Sequence, residues 1–192
     1  GAPVTLAWDN GQGIVFRRKI ALDADYMFTV EDSFENKTAA PVSLDHRSAI
    51  SRHGTPKIEG FWILHEGPIG FLGDKGLQEI KYADILNKVR DGDQNTKSFE
   101  KVTGGWLGVT DKYWATALVP GQKTPLDGYV TGYQKTPSGA KESYQVDYVE
   151  RGLTAAPGAS SSASMELFAG AKRVNLIESY EKSRGILKFD LM

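Results

Sequence analysis

An all-β fold of antiparallel strands is what this sequence predicts, and three observations carry the prediction. Large apolar residues alternate with polar ones at a period of two along much of the chain. Short runs near the middle are apolar on both sides, as strands covered on both faces are. Glycine and proline break the chain at intervals too short for long helices.

The elements follow in order. Val4, Leu6 and Trp8 alternate with Thr5, Ala7 and Asp9, which puts three large apolar groups on one side of a strand, and Asn10-Gly11 then signals a hairpin turn. Ile14, Phe16, Ile20 and Leu22 keep one phase, with Arg18 the exception. Tyr26, Phe28, Val30 and Phe34 do the same against Thr29, Glu31, Ser33 and Glu35, until Asn36 to Thr38 ends the run. Val42 and Leu44 resume the alternation, as do Tyr144, Val146 and Tyr148 late in the chain, and the serines from 160 open a strand that ends at Phe168. The runs Phe61 to Leu64 and Tyr113 to Val119 are the expected central strands. Asp91 to Lys97 is expected to be a polar loop, as is Gln122 to Ser138 apart from a short strand near Tyr129.

Only the C-terminus changes period. From Ala171 onward Val174, Leu176, Ile177 and Tyr180 share one side of a helical wheel, Arg173 and Glu181 interrupt that stripe, and Gly185 supplies the stop. Lys182 and Arg184 fall in the last turn, where the helix dipole favours cations. The tail from Ile186 to Met192 is apolar and ends without a turn signal, from which more chain is expected after it in the parent protein. With no internal repeat, one domain is the simplest organisation, divided into a strand-rich part over 1–170 and a helix and linker over 171–192.

Composition limits the function classes. The 192 residues carry 23 basic and 24 acidic side chains, a formal charge of -1 and no cysteine. That charge supplies no basic field for nucleic acid, and the absence of thiols removes disulfides, thiolate nucleophiles and zinc-thiolate clusters. No apolar run is long enough to cross a bilayer. His46, His53 and His65, with Glu59 and Glu66 nearby, are the candidates for acid/base work, but their spacing matches no metal motif. Asp91-Gly92-Asp93-Gln94-Asn95 opens like a calcium loop and then fails, with Thr96 in place of glycine and Val102 in place of the bidentate carboxylate. Ser98 to Lys101 and Ser179 to Lys182 both read S-x-x-K without its partner motifs, and Gly11-Gln12-Gly13 precedes no helix that would receive a phosphate. No catalytic residue, metal or cofactor is expected.

Four phrases carry a resemblance: Trp8-Asp9-Asn10-Gly11-Gln12-Gly13, Ser51-Arg52-His53-Gly54-Thr55-Pro56, Gly104-Gly105-Trp106-Leu107-Gly108-Val109-Thr110-Asp111-Lys112-Tyr113-Trp114, and Leu167-Phe168-Ala169-Gly170-Ala171-Lys172. Together with the ending from Tyr180 to Leu191, they resemble the periplasmic domain of the YidC membrane protein insertases in its alphaproteobacterial form. The resemblance implies a twisted antiparallel β-supersandwich, galactose-mutarotase-like, with a short C-terminal helical linker. It implies a non-catalytic periplasmic module of an inner-membrane protein whose partners are Sec translocon components and nascent membrane proteins, close to the bilayer. The alternative is a carbohydrate-binding or aldose-epimerase-like domain.

The family's domain ordinarily has further strands before the position of Pro3. An exposed sheet edge covered by another fragment or copy is therefore expected. The expected partner or membrane-proximal surface is Arg173, Leu176, Ile177, Tyr180 and Glu181.

Overall fold

Asn10 closes the first hairpin by accepting the backbone N–H groups of Gln12 and Ile14 on Oδ1, at 2.8 and 3.0 Å. On either side of this turn, β1 (Val4–Asp9) runs antiparallel to β2 (Ile14–Leu22), with Trp8 opposite Phe16 and their rings stacked at 5.4 Å. A computed structural model describes residues 2–56, 65–86, 94–133 and 142–192. The expected strand at Phe61 to Leu64 and the carboxylate of Glu59 lie outside these residues.

The remaining strands are β3 (Met27–Asn36), β4 (Val42–His53), β5 (Gly67–Leu72), β6 (Leu77–Glu79), β7 (Gln94–Thr103), β8 (Gly105–Thr110), β9 (Trp114–Pro120), β10 (Pro125–Tyr133), β11 (Ser143–Ala155) and β12 (Ser160–Ala171). Among the described residues they form two antiparallel sheets. One has eight strands in the order β1-β2-β3-β12-β9-β8-β5-β6, the other four in the order β4-β11-β10-β7. A five-residue helix, α1 (Tyr82–Leu86), and a C-terminal helix, α2 (Val174–Arg184), complete the described elements with two short 3-10 turns.

Register decides which side chains meet. Leu118 of β9 lies opposite both Leu107 of β8 and Leu167 of β12. With Leu72 and Met165, Leu107 and Leu118 pack against Val102, Val130, Tyr144, Val146 and Tyr148 of the smaller sheet. The alternate residues, Ala115, Ala117 and Val119, face the other way into a second core with Met27, Trp106 and Phe168, which α2 covers. The eight-stranded sheet is thus buried on both faces along its middle, which explains the two-sided apolar character of β8 and β9.

Four expectations change. The short strand expected near Tyr129 is longer: after the turn at 122–124, β10 runs for nine residues, Pro125–Tyr133. Gln94 to Lys97 is the start of β7 and not loop. Tyr113 and Trp114 are not core: Tyr113 lies in the turn before β9, Trp114 is the first paired residue of that strand, and both are exposed. The helix begins at Val174, not Ala171, which is still paired with Trp114 in β12, and Val174 is exposed. The alternation of Val4, Leu6 and Trp8 is present, but β1 pairs only with β2 and all six of its residues are exposed.

Candidate functional site

The C-terminal region was the expected functional surface, and its geometry is set by the second core. Arg173 is extended at the N-cap, and Gly185 adopts a left-handed conformation at φ 65°, donating its N–H to the Glu181 carbonyl. Between them Leu176, Ile177 and Tyr180 are each less than a tenth exposed and pack with Met27, Ile69, Trp106 and Phe168. Arg173 is exposed, and Glu181 is half-buried with its carboxylate accepting the Asp190 N–H at 2.8 Å. The structure therefore divides the five residues, three into the domain's own core and two at its surface.

Polar groups fix the helix in place. The Tyr180 hydroxyl donates to the Asp23 carboxylate at 2.8 Å and lies 2.7 Å from the Asp25 carbonyl. Arg184 donates to Asp23 at 2.9 Å and pairs with Glu166. Burial pushes the Tyr180 phenol up, and its bond to Asp23 adds to this. Burial would also raise the Asp23 carboxyl, but the N–H groups of Met27 and Asp25, with Tyr180 and Arg184, outweigh it and hold the group below its ordinary value.

The segment after α2 is fastened as well. Trp106 Nε1 donates to the Lys188 carbonyl at 3.0 Å, and the fully buried Phe189 ring meets Trp106 and Phe168 edge-on at 5.7 and 5.8 Å. Gln122 joins this segment to the β8 entry. Its Oε1 accepts the N–H groups of Gly105 and Leu187 at 3.0 and 3.1 Å, while Nε2 donates to the carbonyls of Gly105 and Pro120, both at 2.9 Å. Sequence reasoning missed Gln122 and Asp23, whose partners are distant in the chain.

His46 and His53 lie far apart on one strand, and Glu66, next to His65 in sequence, acts electrostatically on Arg52 and Lys172. His46 is buried and its Nε2 lies 3.0 Å from Asp32 Oδ2. His53 is exposed at the far end of the same strand, roughly 23 Å away at strand spacing. His65 places Nε2 3.0 Å from the Pro68 carbonyl. Among the described residues no three His, Asp or Glu side chains are grouped to hold a metal.

Arg18 clamps Asp32 with two bonds of 2.6 and 2.8 Å. The triad of Arg18, Asp32 and His46 flanks an open groove of about 610 Å³ whose apolar walls include Trp8, Phe16, Phe34 and Leu44.

Burial acts to raise the Asp32 carboxyl, but the bonds from Arg18 and His46 prevail and hold it far below the carboxylate range. Asp127 is lowered too, first by the Lys101 N–H and then by Arg151. Carboxyls with depressed folded-state values stabilise the fold above the unfolded value of about 4 and lose that contribution progressively as pH falls from there through the folded value. Urea midpoints are therefore expected to drop from about pH 5 downward, and Asp32→Asn to flatten that acid limb. An identical limb in the variant would show that Asp32 is not among its causes.

Comparison with known proteins places this arrangement. The family model of the YidC periplasmic domain matches residues 1–192. The chain belongs to the YidC periplasmic domain family. It is 48% identical over 194 residues to the membrane protein insertase YidC of Methylobacterium radiotolerans, covering 100% of this chain and 31% of that protein. To the YidC of Methylobacterium nodulans it is 49% identical over 192 residues, and to that of Rhizobium meliloti 43% over 188, covering 99% and 98% of this chain and 31% and 30% of those proteins. The chain thus spans about a third of these relatives' length and belongs to the periplasmic part of an inner-membrane protein.

The YidC periplasmic domain shares its sandwich with carbohydrate enzymes. A galactose mutarotase related enzyme from Lactobacillus acidophilus superposes with a TM-score of 0.54 at 10% identity, over 87% of this chain and 67% of that one. A putative aldose 1-epimerase from Escherichia coli does so with 0.53 at 12% identity, over 87% and 64%. At such identities the likeness is one of fold alone.

Proposed function

We propose that this chain is a non-catalytic module that assists an insertase in placing and folding membrane proteins. It does so through contacts with Sec components or substrate segments, with residues 1–170 as the sandwich and 171–192 as the element that sets its orientation toward adjoining chain. The observation that supports this most is the fastening of the C-terminal segment: Trp106, Gln122 and Phe189 tie it to the sheet, so that a force or contact on the sandwich is passed to residues 185–192 without slack. Arg173 and Glu181 remain its candidate contact groups, while Leu176, Ile177 and Tyr180 hold the helix that carries them.

The alternative, an aldose-epimerase-like or carbohydrate-binding domain, needs an acid and a base across one sugar ring. His46 is bonded to Asp32, His65 to the Pro68 carbonyl, and His53 lies far along the strand from His46, which favours the first reading for the histidines; Glu66 adjoins His65 in sequence, and Glu59 lies outside the described residues. Two measurements test it. In cells dependent on the full-length protein, Arg173→Glu is expected to lower insertion while the chain's melting stays unchanged. The purified chain is expected to leave the mutarotation of fresh α-glucose at its buffer rate, and acceleration would establish the epimerase reading instead. Tyr180→Phe separates support from contact: removing the hydroxyl from Asp23 is expected to cost about 1–3 kcal/mol of stability, read by urea titration. Unchanged stability would remove Tyr180 from the supporting role.

A further inference from the structure

Three loop ends meet at one end of the eight-stranded sheet, where β3, β12 and β9 are neighbours. The Ala169 N–H bonds to the Tyr26 carbonyl at 3.2 Å, the Lys172 N–H to the Tyr113 carbonyl at 2.8 Å, and Arg173 approaches Asp25 at 3.9 Å. The turn before β3, the turn before β9 and the junction into α2 therefore form one continuous rim.

Its composition is unusual for turns and the element ends beside them. Val174 is 69% exposed, Tyr113 65%, Trp114 62% and Tyr26 45%. Exposed turns favour Gly, Asn, Asp and Ser, whereas here aromatic rings crowd the tip without contributing to either core. Lys112 lies over the Tyr113 ring at 5.1 Å, and the Arg173 side chain is 60% exposed.

We propose that this rim, Tyr26, Lys112, Tyr113, Trp114, Arg173 and Val174, is a docking surface for the headgroup layer of a phospholipid bilayer. Tyr and Trp present an apolar ring with a polar handle, a chemistry matched by the ester and phosphate layer and by few other surroundings. The handles bond to lipid carbonyls while the rings displace water from the acyl boundary. Lys112 and Arg173 extend on flexible stems to phosphates, while the carboxylates nearby are Asp25 beside Arg173 and Glu79, Glu178 and Asp190 in the pocket that Lys112, Tyr113 and Val174 also line. A protein partner burying the same rings would have to strip water from both cations as well. The inference uses the family's placement beside the inner membrane and not the proposed contacts with Sec components or substrate. Loss of either leaves the other standing.

Co-sedimentation of the 192-residue chain with vesicles tests it, using phosphatidylcholine alone and phosphatidylethanolamine mixed with phosphatidylglycerol. The chain is expected to partition onto both, more strongly onto the second. Tyr113→Ser with Trp114→Ser is expected to reduce partitioning about tenfold on both. Lys112→Glu with Arg173→Glu should reduce it on the anionic vesicles only. Trp8→Ser, on the other exposed apolar stripe, should leave it unchanged. All these side chains are largely outside the cores, so melting temperatures should match the parent chain. The proposal is overturned if the parent chain sediments with neither vesicle, if the aromatic variant still partitions, or if Trp8→Ser loses as much. It is overturned too if the aromatic variant keeps its lipid partitioning but loses a cross-link to a protein.

Discussion

Replacing Trp106 by alanine is expected to cost about 3–5 kcal/mol, the range for truncating a large buried aromatic, and to lower the melting temperature by roughly 10 °C in a chain of this size. The side chain is fully buried in the core beneath α2, with no solvent-facing surface through which neighbours could relax. Truncation opens a cavity there, removes the edge-on contact with Phe189 and frees the Lys188 carbonyl from Nε1. The local consequence is larger than the global one. Residues 185–192 depend on Trp106, Phe168 and Gln122 for their attachment, so trypsin cleavage after Lys188 should accelerate by about tenfold through local opening, under conditions where the sheets remain folded.

Trp106→Phe serves as the partial case. It keeps most of the ring volume but lacks the N–H, so a loss of about 1 kcal/mol is expected with proteolysis intermediate between the two. Equal proteolysis of all three proteins would mean that the segment is held by Phe189 and Gln122 without help from Trp106, and the fastening argument would lose its main support.

What the residues revealed in advance depended on whether a side chain's partners were local. Tyr144, Val146 and Tyr148 are legible because a strand with one buried face repeats at a period of two, and all three are buried as that pattern requires. β10 reads only as a short strand near Tyr129, because its inward positions include Gly128 and Gly132, which carry no hydropathy signal. Gly132 is small for a reason visible only in three dimensions: a Cβ there would lie 3.0 Å from Ile85 of α1. The start of β7 was hidden likewise, since Asn95 lies opposite Gly132 in the smaller sheet and spends its amide on the Ile85 carbonyl at 2.9 Å. Asn95 reads as loop and acts as a bond to α1.

β1 shows the opposite failure. Its phase was correct, yet burial did not follow, because it is the last strand of its sheet and pairs on one side only. Tyr113 and Trp114 failed similarly, Tyr113 in the turn and Trp114 at the first paired position of β9, outside the covered part of the sheet that buries Ala115 and Ala117. In the candidate site the helix stripe was legible from its 3.6-residue spacing. The residues that hold it were not, since Asp23 and Tyr180 are 157 positions apart and nothing in either neighbourhood points to the other.

Gly105→Ala is expected to be the most damaging single substitution at the β8 entry, costing upward of about 4 kcal/mol or preventing folding altogether. The argument is one of backbone geometry and not of propensity. Gly105 sits at φ 104°, a conformation that side chains of L-residues rarely adopt, and a Cβ built there would lie 1.8 Å from the Phe71 carbonyl oxygen. That oxygen belongs to β5, whose Leu72 pairs directly with Gly105, so it cannot rotate aside as a flexible side chain would. Relief requires moving β5 away from β8, which opens both cores at once, because Leu72 faces the smaller sheet and Ile69 faces α2. It also pulls Gly105 out of the Gln122 cradle, loosening Leu187 through the shared Oε1.

Gly76→Ala is the control. It too has a positive φ, 66°, with ψ at -157°, a region that glycine adopts far more readily than other residues, but nothing stands within 4 Å of its absent Cβ, so the cost should be backbone strain alone, about 1–3 kcal/mol. Urea titration of the two variants separates strain from collision. If Gly105→Ala unfolds no more easily than Gly76→Ala, the close approach of β5 and β8 does not exist in solution, and the route by which the sheet holds the C-terminal segment must be redrawn.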